Sequence, residues 1–221
     1  MKILSVEVKQ SKEKKMEFKE ALAFRHACKV FDEYKIIEED DFSDILEAGR
    51  LAPSSFGLEH WEFDVIRDKA LRAKIRKACW DQVQITSASE LIVIYAKIAD
   101  LDPKSDYVKS SFARKTHHNA AAIETYINIF AGFFANFKDE RDVYGWSKAQ
   151  CFLAAQNMMM QAAILGIDSC AIEGYNESEL NEILGIDPAK KRVAMLLPFG
   201  YRIKEQSPQI RQSLHDIVRY R

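Results

Sequence analysis

Apolar positions along the chain recur either at helical spacing or in strict alternation, and the switches between the two periods mark out its elements. From Ser11 to Phe24 the spacing predicts a helix that runs into FRHACKVFD, Phe24 to Asp32. Glu38 to Leu51 reads as a second helix, with acids in its first turn and an apolar stripe through Phe42, Ile45, Leu46 and Gly49. Trp61, Phe63 and Val65 alternate with Glu62 and Asp64, the period of a half-buried strand. A third helix is expected over Lys69 to Cys79. After a polar stretch from Trp80 to Glu90, the β-branched run LIVIYAK reads as a strand buried on both faces. Trp146 to Leu165 predicts a long helix, apolar around most of its circumference and stopped at Gly166. Gly166 to Tyr175 reads as a short strand ending in a Glu-Gly turn. Asn176 with Glu179 makes a capping arrangement for a helix through Leu184, and Arg192 to Gly200 is the last buried strand. A helix buried all round in a domain this small implies a second subunit over part of it. The polar tail, with Arg202, Lys204, Pro208 and Arg211, reads as extended and able to wrap a neighbour. No repeat or linker divides the 221 residues, which are read as a single domain.

Composition narrows the classes of function. With 48% of residues apolar the chain can bury a substantial core. Its 32 Lys and Arg are scattered among 33 Asp and Glu, for a net charge of −1, which argues against a nucleic-acid or anionic-membrane surface but leaves room for a local anion site. Cys28, Cys79, Cys151 and Cys170 are far apart without a Cys-x-x-Cys pair, so neither a zinc site nor a disulfide framework is indicated and reduced thiols in the cytoplasm are expected. The amino terminus lacks the apolar core of a signal peptide, and the most apolar long segment, Cys151 to Ile167, is interrupted by Gln156, Asn157 and Gln161, so no membrane span is expected. His117 and His118 point apart on a helix and have no further ligand at metal spacing; they are expected at the surface, and no metal is expected.

Four stretches carry candidate chemistry. In LAPSSFGLEHWEF, Leu51 to Phe63, Ser54 and Ser55 offer hydroxyls and amides, Pro53 stiffens the approach and Gly57 permits close contact, a loop against which a planar ligand could lie or an ordinary connection. Arg25 and Lys29, four residues apart, would share a face on a continuing helix or converge on a turn, and two converging cations can hold a phosphate. Asp81, Gln82 and Gln84 have no evident charged partner. Glu173 and Gly174 could expose a backbone N–H. The phenylalanines Phe130, Phe133, Phe134 and Phe137 either pack a core or close a pocket.

Taken in order, FRHACKVFD, LAPSSFGLEHW, WDQVQITSAS, NMMMQAAILGIDSCAIEGY and the arginine-bearing tail resemble the nitroreductase family of FMN-dependent NAD(P)H oxidoreductases, in its oxygen-insensitive nitroreductase and flavin reductase branch. The resemblance covers nearly the whole chain. It implies an α+β nitroreductase-like fold, a mixed, largely antiparallel sheet flanked by helices, in an intertwined homodimer with exchanged tails. It also implies FMN sites at the interface. Carried over by position, Arg25 and Lys29 match the basic residues at the FMN phosphate and flavin edge, with His26 and Ala27 between them. Pro53, Ser54, Ser55 and Gly57 match the loop that reaches the flavin from the opposite subunit. Asp81 and Gln84 match contacts to the ribityl chain and ring. Ile172, Glu173 and Gly174 match the turn whose N–H faces the flavin, and Arg211 matches the tail arginine at the phosphate.

The sequence departs from the familiar pattern at Ala27, where serine is common, at Gly57 for asparagine, at Glu59 and His60 for Gln-Pro, and at Gln209 for lysine. His60 is expected to pack beside Trp61. The activity implied is ping-pong two-electron transfer from NADH or NADPH, through FMN, to a small-molecule acceptor such as a nitroaromatic, quinone or flavin. No side chain is assigned as acid, base or nucleophile. Two alternatives are a flavin-destroying or dehalogenating member of the same fold, and a slow flavin-binding redox sensor acting through partners.

Overall fold

The computed structural model describes residues 16–221. The expected first helix therefore lies partly outside the described residues, and within them α1 spans Phe18–Phe24. It is followed by α2 (Glu39–Arg50), β1 (Trp61–Val65), α3 (Lys69–Ala78), α4 (Gln84–Ser87) and β2 (Glu90–Lys97). Then come α5 (Asp106–Lys115), α6 (Ala120–Phe134), α7 (Glu140–Ile164), β3 (Asp168–Ser169), α8 (Glu177–Leu184), β4 (Lys191–Gly200) and α9 (Leu214–Ile217).

The strands form one sheet in the order β1-β2-β4-β3, every pair antiparallel. A single parallel bridge, Ala27 to Ser169, extends the sheet beyond β3. β2 is buried along its whole length because both of its faces are covered. Ile92, Ile94 and Ala96 face a core built with Phe42, Ile45, Ala154, Ala155 and Met158 of α2 and α7. Leu91, Val93 and Tyr95, on the other face, meet Ile75 of α3, Leu180 of α8 and Ile172. Alternate side chains of a strand leave opposite faces, so a helical layer on each side requires an unbroken apolar run. β1 is covered on one side only and alternates, with Trp61 buried and Asp64 exposed.

α7 begins six residues before the predicted Trp146. Its first turn is Glu-Arg-Asp, and the start is set by Asp139, whose carboxylate accepts from the Arg141 and Asp142 N–H groups. Such a polar, capped opening carries no apolar period to read. At its other end Gly166, at φ 73°, closes the helix as expected, with the Ile167 N–H donating to Ala162. α2 crosses α7 closely at Gly49, where a Cβ would stand 2.1 Å from Met158 Cε. Along its remaining face α7 leaves Phe152 and Leu153 39% and 43% exposed, so the helix is not buried all round within one chain.

A third apolar cluster joins α5, α6 and the start of α7. Phe130 is fully buried in it, with Phe56, Phe134 and Trp146 at ring-centroid distances of 5.1–6.0 Å. The four phenylalanines of α6 and its end are thus core, although Phe134 and Phe137 also line a cleft of about 400 Å³ with Ile98, Val143 and Asp139. His117 and His118 sit exposed in the turn between α5 and α6, at φ 49° and 61°. Among the described residues no helix is long and apolar enough to cross a membrane, and no group of His, Cys, Asp and Glu is arranged to hold a metal.

Candidate functional site

The segment carrying Arg25 and Lys29 is not helical. α1 ends at Phe24, Arg25 adopts φ −66° and ψ 129°, and Ala27 bridges Ser169 in parallel while Cys28 N–H donates to the Ser169 carbonyl. In an extended chain side chains alternate, so Arg25, Ala27 and Lys29 share one side and His26 and Cys28 the other. Cys28 is buried and Ala27 and Lys29 are exposed, while Arg25 and His26 are both half-buried. The two cations therefore share a side through a period of two rather than a helical spacing of four.

Beneath them lies a buried ionic cluster. Asp168 of β3 accepts from the Arg202 backbone N–H at 2.9 Å and from its guanidinium at 3.0 Å. His26 Nδ1 lies 3.5 Å from Asp168 Oδ1 without forming a hydrogen bond. The His26 pKa is lowered, first by burial and then by the Arg202 charge, so the imidazole is neutral at pH 7. Arg202 also donates to the Phe24 carbonyl, as does Gln206. Gln209 Nε2 lies within 3.3 Å of the Leu22, Ala23 and Arg25 carbonyls. The glutamine standing where lysine is frequent thus closes the open carbonyl end of α1.

Gln84 opens α4 and is buried. Its amide donates to Gln82 Oε1 at 2.9 Å and approaches Cys170 Sγ at 3.9 Å; Lys29 Nζ lies 3.8 Å from the same sulfur. Burial raises the Cys170 pKa against the opposing pull of Lys29, so the sulfur is a neutral, weak acceptor. Gln82 in turn donates to the Gly174 carbonyl at 2.9 Å. Lys29, Gln84 and Gly174, expected from three separate stretches, are therefore linked through Cys170 and Gln82.

The Glu173–Gly174 turn is pinned from several sides. Lys148 of α7 pairs with the Glu173 carboxylate at 3.1 Å, and Trp80 lies against Gly174, where a Cβ would stand 2.6 Å from the indole. Trp80 and Asp81 hold φ near 55° to turn the chain out of α3, which places the indole 71% exposed. The Glu173 and Gly174 N–H groups donate to no acceptor among the described residues. Ile172, before them, is buried and pairs with Leu196.

The remaining expected residues make no hydrogen bond to this cluster among the described residues. Asp81 is exposed, 3.6 Å from Arg76. Arg211 is exposed and donates to its neighbour's carbonyl. Pro53, Ser54, Ser55 and Gly57 form a loop fixed to α7 and α5 instead: Gln150 accepts from the Ser55 N–H at 2.9 Å, Ser54 Oγ accepts from Glu59 N–H, and Lys115 Nζ reaches the Phe56 carbonyl. Among the described residues no hydrogen bond or ion pair joins this loop to the Arg25–Lys29 segment. Three left-handed residues, Phe56, Gly57 and Glu59, shape it. His60, fully buried, faces Ser55 O at 3.2 Å and packs edge-on against Trp146 at 4.3 Å, not beside Trp61. The α7 backbone brings Trp146 there, a partner 86 residues away that local sequence does not reveal.

Sequence reasoning missed Gln82 as a connector, Lys148, Cys170, and the Asp168–Arg202 pair. Only Gln82 had a signal, as an unpaired amide beside Asp81 and Gln84. The others depend on strand register and helix placement.

Comparison with known proteins places these features in context. The sequence profile of the Nitroreductase family matches residues 22–201. A Staphylococcus epidermidis protein provisionally named an NAD(P)H nitroreductase is 38% identical over 208 residues, 90% of this chain and 94% of its own. The solved structure of a provisionally named NAD(P)H:FMN oxidoreductase from Staphylococcus epidermidis matches with a TM-score of 0.82 at 18% identity, covering 95% of this chain and 99% of that one. That of a provisionally named nitroreductase in complex with FMN, from Exiguobacterium sibiricum, has a TM-score of 0.80 at 21% identity, over 96% and 100%. At those identities the two structures attest the fold alone.

Proposed function

From the premise that the chain belongs to the nitroreductase family, we propose that it is an FMN-dependent NAD(P)H oxidoreductase acting on nitroaromatics, quinones or flavins. The observation that carries the proposal is a set of donors without acceptors. Among the described residues Arg25 and Lys29 have no carboxylate partner, and the Glu173 and Gly174 N–H groups have no acceptor. Lys29 faces a thiol, a weak acceptor, and Gln84 Nε2 is shared between that thiol and Gln82 Oε1. Cations and free N–H groups along one edge fit an electron-rich planar ring bearing a phosphate, which FMN provides.

When bound, FMN supplies the two-electron chemistry, taking hydride from NADH or NADPH and passing it to the acceptor. The chain's own residues bind and orient. On this reading Arg25, with Arg211 from the tail, neutralises the phosphate, and Lys29 supplies positive charge that favours the reduced, electron-rich state. Gln84, in a buried setting, fixes a ring edge. The Glu173–Gly174 turn offers preorganised donors whose positions are set before the cofactor arrives. None of these residues exchanges a proton with substrate.

The Pro53–Gly57 loop joins such a site only from another copy, and a homodimer is part of the proposal. The apolar residues left uncovered on α7, Phe152 and Leu153, and in the tail, Ile210 and Leu214, support it. The test is an anaerobic absorbance titration of the purified protein with NADH and then NADPH. A flavin spectrum that bleaches and returns on adding a nitroaromatic or quinone is the expected result. A protein that takes up no FMN and oxidises neither nicotinamide refutes the proposal.

A further inference from the structure

We propose that Gln82 is a positioning residue for the candidate cofactor edge, fixing the Glu173–Gly174 turn from below so that its free N–H groups keep one orientation. The inference rests on the cofactor reading above and adds a residue that touches neither FMN nor substrate. Gln82 is half-buried and uses both ends of its amide. Its Nε2 donates to the Gly174 carbonyl at 2.9 Å, and its Oε1 accepts from Gln84 Nε2 at 2.9 Å. Those two bonds orient the amide unambiguously, because only one assignment of oxygen and nitrogen satisfies both. They also tie a side chain of the donor set to the backbone of the turn. Movement of either is felt by the other.

The turn needs such a tie. Glycine has no Cβ to restrict its backbone, and a stiffer residue at Gly174 would meet Trp80 in the space where a Cβ would go. The Lys148 to Glu173 pair acts through a half-exposed carboxylate and is screened by solvent. Among the described residues, the hydrogen bond from Gln82 is the one made directly to the turn's backbone by a side chain. It holds the peptide following Gly174, next to the Glu173 and Gly174 N–H groups, which have no acceptor among the described residues.

Two isosteric variants separate the bonds. Gln82→Met removes both; Gln82→Glu keeps an acceptor for Gln84 and lacks the donor for Gly174. In the FMN-free protein, the ¹⁵N order parameters of the Glu173 and Gly174 amides are expected to fall from about 0.85 to below about 0.6 in both variants. The Gln84 side-chain amide resonances should shift in Gln82→Met and hold in Gln82→Glu. With FMN bound, Gln82→Met should lose about tenfold in preference for the reduced over the oxidised cofactor. That is a fall of about 30 mV in midpoint potential for a two-electron couple. The KM for the acceptor should stay within about twofold. A merely structural role would lower thermal stability without moving the potential. Order parameters at wild-type values in folded variants would overturn the proposal, and the Gln82→Glu protein supplies that reading if Gln82→Met does not fold. If the wild-type protein takes up no FMN, it is the cofactor reading that falls, and the order parameters alone decide the role of Gln82.

Discussion

His60 makes the fold sensitive to acid in a way that can be isolated. The imidazole is wholly buried; Nε2 faces the Ser55 carbonyl at 3.2 Å and Nδ1 has no hydrogen-bond partner among the described residues. Burial pushes its pKa from the ordinary 6.5 down to about 4, with the Ser55 carbonyl opposing and the Lys97 and Lys115 charges adding to the fall. Above pH 7 neither the folded nor the unfolded state carries the proton, and His60 contributes nothing to the pH dependence. As the pH falls through 6.5 the unfolded chain takes up a proton that the folded one refuses until about pH 4. Folding is therefore destabilised progressively across that window. The gap of about 2.5 units, at about 1.4 kcal/mol each, amounts to about 3 kcal/mol by pH 4. His60→Gln keeps a donor for Ser55 and removes the titration. Urea unfolding of both proteins between pH 7.5 and 4 should show the variant losing about 3 kcal/mol less than the wild type. All other acid-sensitive groups, His26 included, are common to both and cancel. Parallel stability curves, within about 1 kcal/mol over the whole range, would refute the reasoning.

Gly174→Ala drives a Cβ to within 2.6 Å of the Trp80 ring, which must shift to admit it. About 1–3 kcal/mol of stability and at least tenfold in FMN affinity should be lost, read by thermal melting and flavin fluorescence titration. Arg72, 5% exposed, donates to the Ile66, Ala88 and Ser89 carbonyls. Arg72→Met orphans all three and should cost about 3 kcal/mol or more in urea unfolding. The four cysteines are buried, and burial pushes Cys28 up to about 11 and Cys79 and Cys151 up to about 12. A disulfide reagent at pH 8 should label all four in urea and none in the folded protein over minutes. Leu153→Asp places a charge on the uncovered face of α7. On the homodimer reading it should yield monomers by light scattering and abolish FMN uptake without altering any donor; monomers that retain full FMN affinity would defeat that reading.

Where local pattern determines structure, the sequence was enough. The unbroken run of β2, the Asn176 cap whose side chain accepts from the Glu179 N–H, and Gly166 at the end of α7 are each set by residues within one turn or one strand. Failures came where a polar opening hid a helix, as at Glu140, or where an extended segment borrowed a bridge from elsewhere. FRHACKVFD carries helix-compatible residues, yet its path is dictated by Ser169, more than 140 residues away, through a parallel bridge. Period alone cannot register such a pairing.

The candidate site divides along the same line. Its donors were legible as residue types, because unpaired cations, amides and a Glu-Gly turn are unusual in company. What orders them was not. Lys29 and Gln84 meet at Cys170, a residue read only as a reduced thiol, and Gln84 reaches Gly174 only through Gln82. Gln209 shows why substitution patterns mislead when read one residue at a time. Taken alone it is a lost cation; in the fold its amide closes the carbonyl end of α1 and steadies the backbone of Arg25, the cation that remains. Positive charge at this edge thus comes from fewer side chains, held more firmly. The Pro53–Gly57 loop follows the opposite logic, since its bonds to Gln150 and Lys115 fix it on the far helices while its serine hydroxyls face no residue of the Arg25–Lys29 segment. On the homodimer reading, the donor edge of one copy and this loop of another would line one shared site.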